Sequence, residues 1–173
     1  MGPRFVGIVM NTFAKLNLKD RTDIVIVNAP ASFEPEIASL DGVTVRRSMS
    51  DAKHVDFSVS FVTKQKEVDA VAKTVARKAA GDVIVWLAYP KKSSKNYSCE
   101  FNRDSGWPSM GEAGFEPVRM VAIDEDWSAL RFRRAEFIKN MTRPAEYRYS
   151  ELSKNASTTK SKNTKATKNK NTR

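Results

Sequence analysis

The stretch Asp82-Val83-Ile84-Val85-Trp86-Leu87-Ala88-Tyr89-Pro90-Lys91-Lys92-Ser93-Ser94-Lys95 decides the fold class of this chain. The unbroken apolar run from Val83 to Tyr89 is typical of a strand that is covered on both faces, as in a parallel sheet. Pro90 ends this strand because proline cannot donate a hydrogen bond to the ladder. Open α/β sheets bind ligands outside the carboxyl ends of their strands, so the polar run Lys91–Lys95 lies where such folds bind.

Upstream of this strand the sequence predicts two β-α-β units. Strands are predicted over residues 24–27, 43–47 and 55–62. The first helix is expected to be capped by Ser32 and the second by Thr63. The second helix carries an apolar stripe, formed by Val68, Val71, Ala72, Val75 and Ala79. The third strand alternates with Ser58 and Ser60, which predicts a more polar face. Its short connection from the second strand leaves open both a parallel crossing and an antiparallel hairpin.

Downstream of the central strand the sequence predicts a short helix and a hairpin. Pro108 suits the first turn of a helix that Gly114 ends. Strands over residues 118–123 and 129–134, with turn residues between them, predict a terminal antiparallel hairpin, and residues 135–141 a further short helix. The fold class is therefore α/β: a single three-layer Rossmann-like domain over residues 20–143, with a mainly parallel sheet and a C-terminal antiparallel hairpin. Residues 1–19 are predicted to be an N-terminal extension.

Residues 144–173 are predicted to form a disordered basic tail rich in lysine, threonine and asparagine. From Leu152 onward the chain holds six lysines, one arginine and no acid, so residues 152–173 carry +7 of the formal net charge of +10. Such a tail can bind nucleic acid through its phosphates, although it has no aromatic residue on which a base could stack. A tail that only keeps the protein in solution is the other interpretation.

Cysteine use and hydropathy indicate the compartment. Cys99 is the only cysteine, so no disulfide can form within the chain, which fits a reducing compartment. The sequence has neither a long apolar run nor a signal-peptide pattern, and we expect a cytoplasmic protein with no membrane partner. The single histidine, His54, has no metal-ligand or triad pattern around it. We expect a surface role for His54 and a buried or incidental thiol at Cys99.

The first two strand ends do not carry the features of a dinucleotide site. Such a site needs glycines after the first strand and an acid after the second. This chain has Asn28-Ala29-Pro30 after the first strand and Arg46-Arg47 at the end of the second. The sequence therefore argues against NAD and against S-adenosylmethionine held in the usual way, and no cofactor is predicted. The two arginines could meet a phosphate or could simply be solvated.

The candidate ligand-binding residues come from three strand ends and loops. They are Asn28, Lys91, Lys92, Ser93, Ser94, Lys95, Asp124 and Trp127. The lysines and serines could hold a phosphate or carboxylate. The carboxylates of residues 124–126 could bind a cation or act as acid and base, or they could only stabilise a tight turn. The side chain of Trp127 could stack on the ring of a ligand, or it could close the hydrophobic core. Because carboxyl ends of parallel strands share one edge, we expect these residues to converge. No catalytic or metal-ligating residue is assigned.

Two motifs together resemble a known family. Residues 85–94, which run from Val85 to Ser94, and residues 121–132, which include Asp124-Glu125-Asp126-Trp127-Ser128, resemble an uncharacterised bacterial family of small cytoplasmic domains of unknown function. The resemblance covers residues 20–134 and implies a shortened methyltransferase-like Rossmann fold with a closing hairpin. It implies no established activity, cofactor or catalytic residue. Residues 102–108 depart from the family's longer helix at this place, and the basic tail lies outside the resemblance.

These observations predict a non-catalytic binding module for a phosphate-bearing or other anionic partner at the strand ends. Two alternatives stay open. One is a divergent methyltransferase-like enzyme with Asp124 or Asp126 as base, and the other is an adaptor that reaches nucleic acid or ribosomes through its basic tail. The expected partner is thus an anionic small molecule or a nucleic acid. The sequence does not fix the oligomeric state.

Overall fold

The computed structural model describes residues 11–140, 145–150 and Lys154. Its strands are β1 Asp23–Val27, β2 Thr44–Arg46, β3 Phe57–Phe61, β4 Ile84–Pro90, β5 Phe115–Ala122 and β6 Trp127–Arg134. Its α-helices are α1 Thr12–Lys15, α2 Glu34–Ala38, α3 Gln65–Lys78 and α4 Pro108–Glu112. Short 3-10 turns cover Ala31–Phe33, Met49–Asp51, Ala135–Phe137 and Ala145–Tyr147.

The six strands form one sheet in the order β2-β1-β3-β4-β6-β5. The first four are parallel, whereas β6 runs antiparallel to both β4 and β5. This arrangement confirms the predicted Rossmann-like domain with its C-terminal antiparallel hairpin. The connection from β2 crosses to the far side of β1, where β3 pairs in parallel, so the hairpin alternative is wrong.

Two apolar layers cover the sheet. Helix α3 packs on one face with its predicted stripe, which is buried at all five positions. Helices α1 and α2 cover the other face, where Phe13, Leu16 and Leu18 pack near Trp86. The residues predicted as an N-terminal extension therefore complete the core from position 13 onward. Residues 1–10 lie outside the described part.

The prediction of a polar face on β3 is misleading. Ser58 and Ser60 are 0% and 1% exposed, and by register they share the α3 face with Val85 and Leu87. Their hydroxyl oxygens have no hydrogen-bond partner in the described structure. The serines that alternate with apolar residues in β3 are small side chains on which helix α3 packs closely. Strand β3 is therefore buried on both of its faces.

Both predicted N-caps are wrong. The chain enters α2 through the 3-10 turn, so Ser32 caps no helix, although Pro35 does lie in the first helical turn. Helix α3 starts one residue later than Thr63 would set it. There the Glu67 carboxylate reaches back and accepts hydrogen bonds from the backbone N–H groups of Thr63 and Lys64. This reciprocal contact satisfies N–H groups next to the start of the helix.

The chain after β6 packs back onto the domain. Residues 135–137 form a 3-10 turn rather than the expected helix over 135–141, the end of which lies outside the described residues. Ser150 is 1% exposed, and the buried Glu116 carboxylate accepts hydrogen bonds from the N–H groups of Tyr149 and Ser150. The first part of the predicted tail is thus in contact with β5, and most of the remainder lies outside the described residues. No described helix combines the length and apolar character that crossing a membrane requires.

Candidate functional site

The hairpin turn between β5 and β6 lies at the same edge of the sheet as the carboxyl end of β4. This follows from the antiparallel register, in which Pro90 is opposite Trp127. The Lys91 N–H donates a hydrogen bond of 2.7 Å to the Asp126 carbonyl oxygen, which joins the lysine loop to the turn. Two of the three predicted regions therefore meet directly.

The carboxylates of the turn hold the turn and the loop together. Asp124 Oδ1 accepts hydrogen bonds of 2.8 Å from the N–H groups of Asp126 and Trp127. Asp126 accepts from the Ser94 hydroxyl at 2.7 Å and from the Asn96 amide at 3.1 Å. Ser32 reaches the other oxygen of Asp124 at 3.4 Å, so the loop after β1 joins this network. The arrangement favours the tight-turn interpretation, and within the described residues no group of three metal-ligating side chains exists.

Trp127 lies in the core rather than on the surface. Its side chain is 3% exposed, and its ring packs edge-on to Phe61 at 5.1 Å and tilted against Tyr97 at 4.9 Å. Phe33 and Phe13 continue this aromatic row on the same face. The ring therefore closes the core above the strand ends, which is the second of the two roles considered for it.

Asn28 lies at the same edge of the sheet, at the end of a different strand. Its backbone is left-handed, with φ of +56°, a conformation that asparagine tolerates better than most residues and that glycine would supply elsewhere. Its amide donates to Glu67 at 3.3 Å. Strand β3 lies between β1 and β4, so Asn28 and the lysine loop are two strand spacings apart, about 9–10 Å. Asn28 and the lysine loop therefore share this edge of the sheet but do not follow neighbouring strands.

A groove of about 790 Å³ opens at the end of β4, on the α3 side of the sheet. Lys91, Lys92 and Ser94 line it, whereas Ser93 and Lys95 are exposed outside it. Its other walls include Tyr89, Cys99, Phe101, Arg103 and Met120. Grooves of similar volume occur elsewhere on the described surface. This groove is the candidate ligand site because it lies at the carboxyl end of β4 and is lined by two lysines.

The apolar wall of the groove was not predicted. Tyr89 is 5% exposed, and its hydroxyl donates to the Met120 sulfur at 3.4 Å. Burial raises the pKa of Tyr89 and that of the half-buried Cys99 thiol, so both groups stay protonated at neutral pH. Phe101 packs against both Tyr89 and the buried Trp107. Phe101 and Trp107, two aromatic residues close together between β4 and α4, were the sequence signal for this packed wall.

The two arginines at the end of β2 are paired within the chain. Arg46 contacts Asp23 through two hydrogen bonds of 2.8 and 2.7 Å, and Arg47 contacts Glu34 through two of 2.8 and 2.9 Å. These bonds hold the pKa of each carboxyl group below its ordinary value. Both guanidinium groups are thus neither simply solvated nor free for a phosphate.

Solved structures with a similar fold include methyltransferases, in agreement with the Rossmann-like strand order. A SAM-dependent methyltransferase from Aquifex aeolicus matches with a TM-score of 0.52 and 13% identity, over 72% of this chain and 88% of that chain. A putative type 11 methyltransferase from Sulfolobus solfataricus gives 0.45 and 15%, over 72% and 79%. The N-methyltransferase NodS from Bradyrhizobium japonicum WM9 gives 0.46 and 10%, over 71% and 92%. No protein-family model and no curated protein sequence matches the chain.

The class that these observations define is a Rossmann-like protein with the methyltransferase-type fold. At 13% identity the likeness establishes the fold and not the activity. The resemblance to a bacterial family of unknown function stays a prediction.

Proposed function

We propose that the protein is a divergent methyltransferase-like protein that binds a small anionic ligand in the groove at the end of β4. The observation that carries this proposal is the position of Lys91 and Lys92, which line a groove at the carboxyl edge of a methyltransferase-type sheet. Ligands of open α/β folds bind at this edge. The fold likeness supports the first half of the proposal, and the cations in the groove support the second.

The residues of this chain do not fit S-adenosylmethionine in the usual position. At the end of β1 the chain turns through Asn28, Ala29 and Pro30, which bring side chains where glycines would let a ligand approach the backbone. At the end of β2, where a carboxylate would bind the ribose hydroxyls, Arg47 holds Glu34 in an ion pair. No methyl-transfer step is therefore derived for this protein.

The groove combines cations with an apolar wall. Lys92 is exposed and Lys91 is half-buried, so both ammonium groups can reach a ligand from the rim. Ser94 is fixed by its hydrogen bond to Asp126 and orients the loop that carries the lysines. Tyr89 and Phe101 form the apolar side. A ligand with a phosphate or carboxylate next to a ring or other apolar group matches this combination.

Thermal shift followed by calorimetric titration tests the proposal. The ligand panel is pyrophosphate, ATP, S-adenosylmethionine and S-adenosylhomocysteine, because a ligand that binds only the native state raises the melting temperature. We expect the phosphate compounds to bind. The double variant Lys91→Ala/Lys92→Ala should lose at least about tenfold in affinity, since each charge-assisted hydrogen bond contributes about 1.5–3 kcal/mol.

The matched control is Lys66→Ala/Lys73→Ala, which removes the same charge from exposed positions on α3. This control should bind as the parent does. Equal losses in the two double variants would show that only net charge matters and would refute the site. If S-adenosylmethionine binds and the phosphate compounds do not, the chain holds the methyltransferase cofactor in an unusual way, and the anionic-ligand proposal is wrong.

A further inference from the structure

Three arginines project from one face of the β5–β6 hairpin. Arg119 and Arg131 are direct partners in the register of the two strands. Arg133 lies two residues beyond Arg131 on the same strand, and therefore on the same face. We call Arg119, Arg131 and Arg133 the arginine face. Arg131 is the register partner of Trp86 on β4, so the two side chains lie on the same face of the sheet. That face is covered by α1 over the other strands, and the groove lies on the opposite face.

The carboxylates of the chain neutralise only part of this positive charge. Arg133 binds Asp82 through two hydrogen bonds of 2.8 and 2.6 Å, and neighbouring Arg21 binds Asp56 at 3.1 Å. Neither Arg119 nor Arg131 forms an ion pair with a described residue. The residues outside the described part contain a single acid, Glu151, among many cations. Glu116, which is opposite Arg133 in the register, already accepts hydrogen bonds from the N–H groups of Tyr149 and Ser150.

The opposed arginines are electrostatically unfavourable in the protein alone. Like charges directly opposite each other on neighbouring strands destabilise a sheet. Burial of half of Arg131 lowers its pKa, and the positive charge of Arg133 lowers it further. The Arg131 Nε atom is buried and has no hydrogen-bond partner among the described residues. A local conflict of this kind, retained in an otherwise consistent fold, is typical of a functional surface.

The chemistry of the face selects its partner. A guanidinium group offers a planar fork that binds phosphate oxygens in pairs, and arginine is the preferred residue for such contacts. The face presents no exposed aromatic ring, so it can contact phosphates but has no platform on which to stack bases. Val118, which precedes Arg119 at the irregularity in β5, is exposed, but one apolar side chain without an amphipathic helix is a weak anchor in a lipid surface. Residues 152–173 carry +7 of the net charge of +10, so a polyanion long enough to contact both them and the arginine face is favoured over an isolated phosphate.

We propose that the arginine face binds the phosphate backbone of a nucleic acid. Arg119 and Arg131, which form no ion pair with a described residue, are the two residues that contact the phosphates. Contacts to phosphates carry no sequence information, so this binding should depend little on base sequence. The face lies on the opposite side of the sheet from the groove, although Arg103, Asp104 and Met120, which line the groove, also border the cavity that Arg119 and Arg133 line.

Fluorescence anisotropy with a labelled single-stranded RNA of mixed sequence tests this proposal in the full chain, at a series of salt concentrations. The variant is Arg119→Gln/Arg131→Gln, and Lys66→Gln/Lys73→Gln is the control with the same change in charge. We expect the arginine variant to lose about tenfold in affinity. The slope of log affinity against log salt should fall by about 1.4, since each phosphate contact on a single strand contributes about 0.7. The control should lose less than about threefold, because its lysines lie on α3.

The melting temperature provides a second readout. If the arginines are retained for binding, their removal should leave the melting temperature unchanged or raise it, because the repulsion across the strands is relieved. The single variant Arg119→Gln, at an exposed position, should show about half of the change in slope. Equal losses in the two double variants, or no loss in the arginine variant, would refute the proposal. If the arginine variant loses binding to anionic vesicles and keeps its RNA affinity, the face is a membrane surface and the proposal is wrong.

Discussion

Trp86 should be the residue whose replacement most weakens the fold. Its side chain is 0% exposed in the middle of β4, on the face covered by α1. The indole Nε1–H donates a buried hydrogen bond of 2.8 Å to the Leu16 carbonyl oxygen. Trp86→Ala removes the ring and leaves a cavity, at a cost of about 3–5 kcal/mol. It also leaves the Leu16 carbonyl without its donor, which costs about 1–3 kcal/mol more.

The matched variant Trp86→Phe separates these two terms. Phenylalanine keeps much of the ring volume but cannot donate a hydrogen bond, so its cost should be near the second term alone, about 1–3 kcal/mol. Urea unfolding followed by far-UV circular dichroism measures the free energy of unfolding for the parent and both variants. Hydrogen exchange should show faster opening of residues 13–18 in Trp86→Phe, because the hydrogen bond to Leu16 is what ties this segment to the sheet.

Two results would refute this reasoning. If Trp86→Ala loses less than about 1.5 kcal/mol, the site can collapse and the ring is not the centre of the core. If Trp86→Phe is as stable as the parent and exchange at residues 13–18 is unchanged, the hydrogen bond to Leu16 contributes nothing measurable. In a domain whose total stability is typically about 5–15 kcal/mol, the expected loss for Trp86→Ala is large enough to be unmistakable.

Three further predictions concern the periphery of the domain. Removal of residues 153–173 should change the melting temperature by less than a few degrees, since this stretch has no apolar residue larger than alanine; a larger drop in a thermal melt would contradict it. The hydrogen bond from Arg133 lowers the pKa of Asp82 below its ordinary 3.8, so the pair stabilises the protein above about pH 4 and this contribution is lost as the pH falls further. Asp82→Asn should therefore cost at most about 1 kcal/mol at pH 7, because the pair is partly exposed, and less at pH 2. Urea unfolding at both pH values measures the two costs, and equal costs would contradict a contribution from the ion pair. A Cβ at Gly111 would overlap the Tyr149 carbonyl, so Gly111→Ala should release the segment around Tyr149 and speed its proteolysis, while unchanged cleavage would show that the segment is not held there.

The sequence determined the elements whose signal is local. The apolar run of β4 and the helical spacing of Val68 and Val75 each predict their element from neighbouring residues, since the periods of a strand and a helix are properties of the backbone. Pro108 and Gly114 marked the bounds of α4 because their backbone preferences are intrinsic. The order of these elements along the chain then restricted the topology to a mainly parallel sheet with a closing hairpin.

The tertiary structure alone decided which side chains become partners. Asp126 and Ser94 are 32 residues apart in the chain, and Arg47 and Glu34 are 13 apart, and nothing in the spacing of either pair predicts a contact. A hydrogen bond or ion pair forms where the packed backbone brings two groups within about 3 Å, which depends on the whole fold. For the same reason the sequence could not tell that Trp127 is buried under Tyr97, or that Arg119 and Arg131 face each other with no acid between them. The period of a helix or strand depends on residues that are close together in the sequence. The charge partners and the burial of a side chain depend on residues that are far apart in the sequence and that the fold brings together.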